Sequence, residues 1–151
     1  MSNKILDILI LDDKDYWAAI VEGAISRGEL PTCQTHVAMT YDEATSLIHA
    51  RGKNNMFQIA LLDYDLSDSK GQSRKTGYDV AVELRCQNDA ASIYLVTLYD
   101  EAYLNAKHSD FRKHRLRFIS KADPELESTI VREISESIED IERDERAKNA
   151  G

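Results

Sequence analysis

Acidic side chains end two of the apolar runs of this chain, and a hydroxyl and an amine follow two others. Asp12 and Asp13 end the first run, Asp63 ends the third, Thr97 closes the fourth, and Lys121 follows the fifth. If these runs are neighbouring parallel strands, their carboxyl ends meet at one edge of a sheet. The pattern therefore predicts three carboxylates, a hydroxyl and an ammonium group in one crevice.

Three crowded carboxylates repel one another unless a cation balances them. Mg²⁺ is a small, hard ion that is usually bound through one or two carboxylates together with phosphate oxygens. A carboxylate in such a site can attack phosphorus and form an acyl phosphate. The crevice is therefore predicted to hold magnesium and a phosphoryl group, with Lys121 as a compact positive charge beside the phosphoryl oxygens.

Five strand-like runs are available to position these residues. They lie at residues 5–11, 35–39, 57–62, 93–98 and 116–119. Short, continuous apolar runs of this kind are typical of strands that are buried on both faces. The second run is the weakest of the five, and we expect it near an edge of the sheet.

Helical spacing or a capping signal marks a segment after each strand. Thr40 with Glu43 matches a capping box that opens the second helix, and Asp123 followed by Pro124 opens the last. The other helices are predicted at residues 14–27, 77–87 and 100–111. Strand and helix thus alternate five times, which predicts a single α/β domain with a doubly wound, five-stranded parallel sheet and helices on both faces.

Length and composition fit one globular domain and exclude several functions. The chain has 151 residues, of which 42% are hydrophobic and 30% charged. Its net charge of −8 argues against direct nucleic-acid binding, which requires a basic surface. No apolar stretch is long enough to span a bilayer, the amino terminus lacks a signal-peptide pattern, and Cys33 and Cys86 have no metal-binding spacing. A cytoplasmic location without membrane contact is expected.

The five residues in this order on five strand–helix units resemble the receiver domain of bacterial response regulators. The resemblance implies a flavodoxin-like fold of the chemotaxis-regulator type, with strand order 2-1-3-4-5. It covers residues 4–142 as a receiver domain with an extended last helix, and it leaves residues 143–151 as a polar tail that we expect to fray. It implies a phosphoacceptor of two-component signalling rather than a conventional enzyme.

The resemblance also implies how the acids act. Asp63 would accept a phosphoryl group from a sensor histidine kinase, a phosphotransfer protein or a small phosphodonor. Asp13 and Asp63 would bind Mg²⁺ directly, Asp12 would bind it through water, and the backbone carbonyl of Asp65 would be a further ligand. Taken alone, Asp12 would be interpreted as a helix cap.

The remaining residues would contact the phosphoryl group or change position in response to it. Lys121 and Thr97 would contact its oxygens, and Thr97 would move toward it. Phe118, three residues before the lysine, would then turn inward as a switch, although an ordinary core position is equally compatible with its type. Tyr99 would flank the site and influence how long the phosphoryl group survives.

Two local features depart from the family pattern. Residues 67–75 are extra residues after the acceptor, and they are locally basic. They either gate access of the phosphodonor or contact a partner, or they form a solvated flexible loop, which is the simpler interpretation. Ala122 follows Lys121 where the family usually has proline, so this peptide bond is predicted to be trans.

Charge patterning and rival functions complete the sequence-based hypotheses. Basic residues 112–117 and an acidic last helix could pair across a two-fold homodimer that uses helix 4, strand 5 and helix 5, or both could be solvated faces.

The Asp63-Tyr64-Asp65 motif also has the form found in haloacid-dehalogenase-like phosphatases, but there it normally ends the first strand. A pseudo-receiver that binds partners without phosphorylation is the third alternative.

Overall fold

The computed structural model describes residues 5–12, 16–66 and 75–150. Five strands and five helices alternate along these residues, and a 3₁₀ helix, Phe111–His114, precedes the last strand. In chain order they are β1 (Leu6–Leu11), α1 (Tyr16–Ser26), β2 (Cys33–Ala38), α2 (Tyr41–His49), β3 (Ile59–Asp63), α3 (Gly77–Gln87), β4 (Ser92–Thr97), α4 (Glu101–Lys107), β5 (Arg117–Ser120) and α5 (Leu126–Ala150).

The strands form one parallel sheet in the order β2-β1-β3-β4-β5. This confirms the predicted fold class and strand order. β3 lies in the middle, so Asp63 ends the central strand, with the carboxyl ends of β1 and β4 on either side. The register pairs Asp63 with Val96 and Thr97 with Ser120, which places the predicted site residues along one edge.

Each face of the sheet carries its own hydrophobic core because successive strand residues point to opposite sides. One core joins Leu9, Leu62 and Leu95 to α2 and α3, and the other joins Ile10 and Leu61 to α1 and α5. Every residue of β3 is buried. Burial on both faces explains why the central strands are continuous apolar runs in the sequence.

Capping residues fix where helix α2 begins. Thr40 Oγ1 accepts a hydrogen bond from the Glu43 backbone N–H over 3.1 Å, as the capping-box pattern predicts. The Glu43 carboxylate accepts its reciprocal bond from Met39 N, at 2.8 Å, rather than from Thr40 N. The helix therefore starts where the sequence indicates, with the second capping bond moved by one residue.

The fourth helix is shorter than the sequence pattern indicates. A single helix was expected over residues 100–111, but α4 ends at Lys107, and the 3₁₀ helix then carries Phe111 into the core. His108, Ser109 and Asp110 separate the two segments, and such polar residues favour turns by bonding to nearby backbone. Strand ends differ from the expected positions by only one or two residues.

The structure places residues 143–150 of the polar tail in a helix, and the fraying of this tail stays a prediction. α5 begins at Leu126 and continues without a break to Ala150. The tail is polar, but its Glu, Arg, Ala and Lys residues have high intrinsic helix propensity, so the helix extends beyond its buried part. None of the described helices is both long and apolar enough to cross a membrane.

Candidate functional site

Asp63 and Lys121 are in direct contact at the carboxyl-terminal edge of the sheet. Lys121 Nζ donates a hydrogen bond to Asp63 Oδ1 over 2.7 Å, across 58 positions of sequence. Asp63 is only 5% exposed. The Lys121 backbone N–H donates to the Thr97 carbonyl over 2.9 Å, so the end of β4 fixes the lysine backbone beside the acid. The sequence-based prediction placed these residues in one crevice, and the structure brings them together.

Burial raises the pKa of Asp63 above the usual aspartate range, and the charge of Asp12 raises it further. The Lys121 hydrogen bond and charge, and a bond from the Asp65 backbone N–H, lower this pKa but do not cancel the effect of burial. The raised pKa of Asp63 is therefore mainly an effect of its burial, which makes the charged carboxylate costly despite its lysine partner.

Asp12 caps helix α1. Its Oδ2 accepts hydrogen bonds from the backbone N–H groups of Tyr16, at 2.8 Å, and Trp17, at 3.2 Å. The side chain is buried, and its charge contributes to raising the pKa of Asp63. The structure thus shows the capping role that the residue type alone suggests. One of these bonds comes from the backbone of Trp17, the only tryptophan of the chain.

Part of the predicted magnesium ligand set cannot be placed. Asp13 lies outside the described residues, and within residues 5–12, 16–66 and 75–150 no group of three or more acidic, histidine or cysteine side chains is close enough to hold a metal. Asp65 follows Asp63 closely, and its backbone N–H donates to Asp63 Oδ1 over 3.2 Å. The carboxylates of Asp12 and Asp63 and the Asp65 carbonyl are hard oxygen donors, which fits Mg²⁺ chemically.

Thr97 and Tyr99 lie on the β4 side of the site. Thr97 is 2% exposed, and its Oγ1 accepts a hydrogen bond from the Tyr99 backbone N–H over 3.0 Å. This bond does not use the hydrogen of the Thr97 hydroxyl, which can be donated to a ligand. The Tyr99 ring meets the Tyr64 ring edge-on at 5.6 Å and stacks on Tyr103 at 4.4 Å.

Phe118 occupies a core position in this structure. Its ring stacks on Phe111 with the centroids 5.3 Å apart, and it packs against the core on the α2 and α3 side. This is the ordinary structural position that the sequence left open beside the switch hypothesis. A change of position on phosphorylation stays a prediction.

Gly77 is a site residue that the sequence-based reasoning missed. A Cβ atom at this position would lie 2.3 Å from the Asp63 carbonyl oxygen, so only glycine allows α3 to approach Asp63 so closely. The Gly77 N–H donates to the Tyr64 carbonyl over 3.0 Å. A signal was present in the Thr76 and Asp79 pair, which forms a full capping box around this glycine.

Tyr64 is a second residue that the sequence did not reveal. Although it follows Asp63 in the expected polar loop, it is 2% exposed, and its hydroxyl is 2.8 Å from His108 Nε2. Burial raises the pKa of Tyr64 to about 12. Nothing in the sequence relates position 64 to position 108, because their contact depends on how α4 packs.

The two departures from the family pattern have different outcomes. Residues 67–74 of the insert lie outside the described residues. Lys75, at its end, places its ammonium group 5.6 Å from the centre of the Tyr41 ring on α2. The peptide bond between Lys121 and Ala122 is trans, since the described residues contain no cis peptide bond.

Several solved structures are similar to this chain. A CheY-like response regulator receiver domain protein from Methanospirillum hungatei JF-1 shares 20% identity, covering 93% of this chain and 99% of its own, with a TM-score of 0.66. The signal receiver domain of an HD domain-containing protein from Pseudomonas fluorescens Pf-5 shares 16%, covering 97% and 96%, with a TM-score of 0.70. A Burkholderia pseudomallei response regulator, solved with a phosphorylated aspartic acid and a calcium ion, shares 20%, covering 95% and 75%, with a TM-score of 0.61.

No family model and no curated protein matches the sequence. At identities of 20% or less, the structural similarity establishes the architecture and leaves the chemistry to be argued from the site. The chain therefore has the CheY-like fold of response-regulator receiver domains. Within that fold, its buried acid and its lysine meet at the edge where ligands bind in open α/β sheets.

Proposed function

We propose that this chain is a receiver domain of a two-component phosphorelay and that Asp63 is its phosphoacceptor. The observation that carries the proposal is the 2.7 Å contact between Lys121 and a buried aspartate at the end of the central strand. Thr97, buried at the end of the neighbouring strand, offers a hydroxyl for a phosphoryl oxygen. A signalling role fits this fold better than that of a conventional enzyme.

The proposed step transfers a phosphoryl group from a phosphohistidine of a sensor kinase or phosphotransfer protein. Lys121 and the Asp65 N–H both bond Asp63 Oδ1, so we assign the attack to Oδ2. As the new P–O bond forms, the P–N bond breaks, and the imidazole, whose other ring nitrogen carries a proton, keeps the electron pair and leaves as a neutral ring. The Lys121 ammonium offsets charge on the phosphoryl oxygens, and Thr97 donates a hydrogen bond to one of them.

Magnesium fits the donor set of the site. Asp12 and Asp63, with Asp13 and the Asp65 carbonyl, are the residues that would hold it. When bound, Mg²⁺ supplies positive charge between the attacking carboxylate and the phosphoryl oxygens. The contact between the Asp63 carboxylate and the Asp65 backbone supports this assignment, since it keeps two of the proposed ligands side by side. The calcium ion in the Burkholderia regulator supports a divalent ion in this fold.

A direct test is incubation with Mg²⁺ and acetyl phosphate or phosphoramidate, followed by intact mass measurement. We expect one added phosphoryl group in the wild type and none in Asp63→Asn. Asp89→Asn is the matched control, because Asp89 lies at the opposite edge of the sheet with an exposed side chain. Equal labelling of the wild type and Asp63→Asn would refute the assignment of the acceptor.

The same experiment separates the rival functions. Repeated turnover of a generic phosphate ester would indicate a phosphatase of the haloacid-dehalogenase type. A protein that takes up no phosphoryl group from any donor, including a histidine kinase, would be a phosphorylation-independent binding module. A stable, single modification that depends on Asp63 supports the receiver proposal.

We also propose that phosphorylation moves Thr97 and Phe118 and so changes a partner-binding surface in the cytoplasm.

A two-fold homodimer through α4, β5 and α5 is a separate part of the proposal. Two basic residues of this region already have acidic partners within the chain, Arg115 with Asp89 and Arg117 with Asp140 at 3.9 Å. These pairs would have to share their charge with a second copy. Beryllofluoride with Mg²⁺ should raise the mass measured by light scattering if the dimer forms, and an unchanged mass would contradict it.

A further inference from the structure

The hydroxyl of Tyr64 and the ring of His108 join the residue after the acceptor to the end of helix α4. We propose that His108 is a positioning residue for the phosphorylation of Asp63, acting through its hydrogen bond to Tyr64. The inference rests on the proposed function, because it concerns the rate of that reaction. It adds a residue that has no place in the strand-end pattern from which the site was predicted.

Tyr64 is held by three hydrogen bonds to three different elements. Its backbone N–H donates to the Val96 carbonyl of β4 over 3.2 Å, and its carbonyl accepts from Gly77 N of α3 over 3.0 Å. Its hydroxyl is 2.8 Å from His108 Nε2. Because Tyr64 is bonded covalently to Asp63, any freedom it gains is passed to the acceptor backbone.

His108 is itself held in place and can serve as a fixed support. Its backbone N–H donates to the Leu104 carbonyl over 2.9 Å, and its carbonyl accepts from Phe111 N over 3.0 Å. Its ring stacks on Tyr78 with centroids 3.9 Å apart and planes inclined by 21°. The ring therefore cannot tilt away from Tyr64 without losing a stacking contact.

The protonation states of the pair suit a lasting hydrogen bond. Burial lowers the pKa of His108, which favours the neutral ring with one acceptor nitrogen, although Asp79 opposes this shift and Lys107 adds to it. A neutral imidazole can accept a hydrogen bond at Nε2 from the Tyr64 hydroxyl, which lies 2.8 Å away.

The experiment removes the bond from each side while keeping the rings. Tyr64→Phe deletes only the hydroxyl, and His108→Phe keeps a ring that can stack on Tyr78. If one hydrogen bond positions the acceptor, each variant should be phosphorylated about five-fold more slowly by acetyl phosphate, and the double variant no more slowly than either single variant. His108→Gln should restore most of the rate, since its amide oxygen can accept from the Tyr64 hydroxyl.

Tyr103→Phe is the matched control, since it removes a hydroxyl from an exposed tyrosine of α4. Its rate should equal that of the wild type. Unchanged rates in Tyr64→Phe and His108→Phe, strictly additive losses, or no recovery in His108→Gln would each overturn the proposal. Melting temperatures of all variants show whether a slower reaction only reflects lost stability, because a purely structural role would lower the melting temperature and leave the rate constant unchanged.

A second readout keeps this inference distinct from the proposed function. If the wild type takes up no phosphoryl group, the proposed function fails, and the Asp63 backbone amide resonance then decides whether the bond positions this residue. Tyr64→Phe and His108→Phe should shift that resonance in the same direction, whereas Tyr103→Phe should not. An Asp63 resonance that is identical in all variants would overturn the positioning role.

Discussion

The two edges of the sheet both bury charge, but they treat it differently. At the carboxyl-terminal edge, buried Asp63 has a lysine partner and a second carboxylate nearby. At the amino-terminal edge, buried Arg85 donates to the carbonyls of His114 at 2.9 Å, Asp89 at 2.9 Å, Ala91 at 2.7 Å and Arg115 at 3.3 Å. The second edge satisfies its charge with fixed, neutral backbone groups, and the first does not.

This difference separates a charge that the fold satisfies by itself from one that we propose to be functional. Burial lowers the pKa of Arg85 and raises that of Asp63, so desolvation acts against the charged form in both. Around Arg85, four carbonyl dipoles that belong to the loops before β4 and β5 offset this cost. Around Asp63, the partners among the described residues are the Lys121 ammonium group and the Asp65 backbone N–H, and they do not cancel the effect of burial on its pKa. Burial alone therefore does not mark a site, whereas a buried acid whose pKa stays raised is a candidate for one.

The largest expected effect is at the amino-terminal edge of the sheet, where Arg85 is buried. Arg85→Met should lower the free energy of unfolding by about 3–5 kcal/mol, because the carbonyls that the guanidinium bonds would stay buried without a donor. Urea denaturation followed by circular dichroism measures this change. Arg85→Lys keeps the charge but not the planar fork of donors. Its free energy of unfolding should therefore lie between those of the wild type and Arg85→Met.

If the two edges of the sheet are independent, Arg85→Met should keep its phosphorylation rate under conditions in which it is folded, since Arg85 has no role at the edge that holds Asp63. A loss of stability below about 1 kcal/mol would mean that water replaces the guanidinium, and the contrast between the edges would then disappear.

The next effect is expected at Gly77. Gly77→Ala places a methyl group 2.3 Å from the Asp63 carbonyl oxygen, so the strand end or the start of α3 must move. We expect a loss of about 1–3 kcal/mol in stability together with slower phosphorylation, because the proposed acceptor, Asp63, is itself displaced. The matched control is Gly52→Ala, where the nearest atom is Asn55 Oδ1 at 3.8 Å. Normal phosphorylation of a destabilised Gly77→Ala would show that the acceptor tolerates the shift.

The fold and the centre of the site could be predicted because they depend on local patterns. Alternating apolar runs and helical segments define a parallel α/β sheet, and strand order brings Asp63, Thr97 and Lys121 to one edge. Such a prediction requires only that each residue end its strand. It is insensitive to shifts of one or two residues in the strand boundaries, which is the size of the differences found here.

Other features could not be predicted because they depend on packing between distant segments. Arg85 meets carbonyls up to 30 positions away, and Tyr64 meets His108 44 positions away. An arginine in a helix and a tyrosine in a polar loop look like surface residues in the sequence. The sequence predicts an extended last helix, but the polarity of residues 143–150 masks the helix propensity by which they continue it.

Magnesium should stabilise the folded protein by binding at the carboxyl-terminal edge of the sheet, where Asp63 lies. At a Mg²⁺ concentration ten times the dissociation constant, the free energy of unfolding should rise by about 1.4 kcal/mol, because the ion binds the folded state. Melting curves report the shift, and fluorescence of Trp17, beside Asp12, provides an independent titration. Arg85→Lys should respond as the wild type does, whereas Asp63→Asn should respond weakly. Equal shifts in the wild type and Asp63→Asn would place the ion elsewhere.

The smallest effect is the pH dependence that Asp63 contributes in the absence of magnesium. Its pKa is raised in the folded protein above the ordinary value of 3.8, so the folded state holds this proton to higher pH than the unfolded state does. The resulting stabilisation is complete below the ordinary value and is lost as the pH rises through the folded pKa. Comparing the wild type with Asp63→Asn at each pH cancels most of the contribution of the other carboxyl groups. The wild type should therefore lose stability relative to Asp63→Asn as the pH rises through this window, and millimolar Mg²⁺ should reduce the loss. If the wild type instead gained stability relative to Asp63→Asn, Lys121 would outweigh burial, and the acidic edge would be as well satisfied as the edge that holds Arg85.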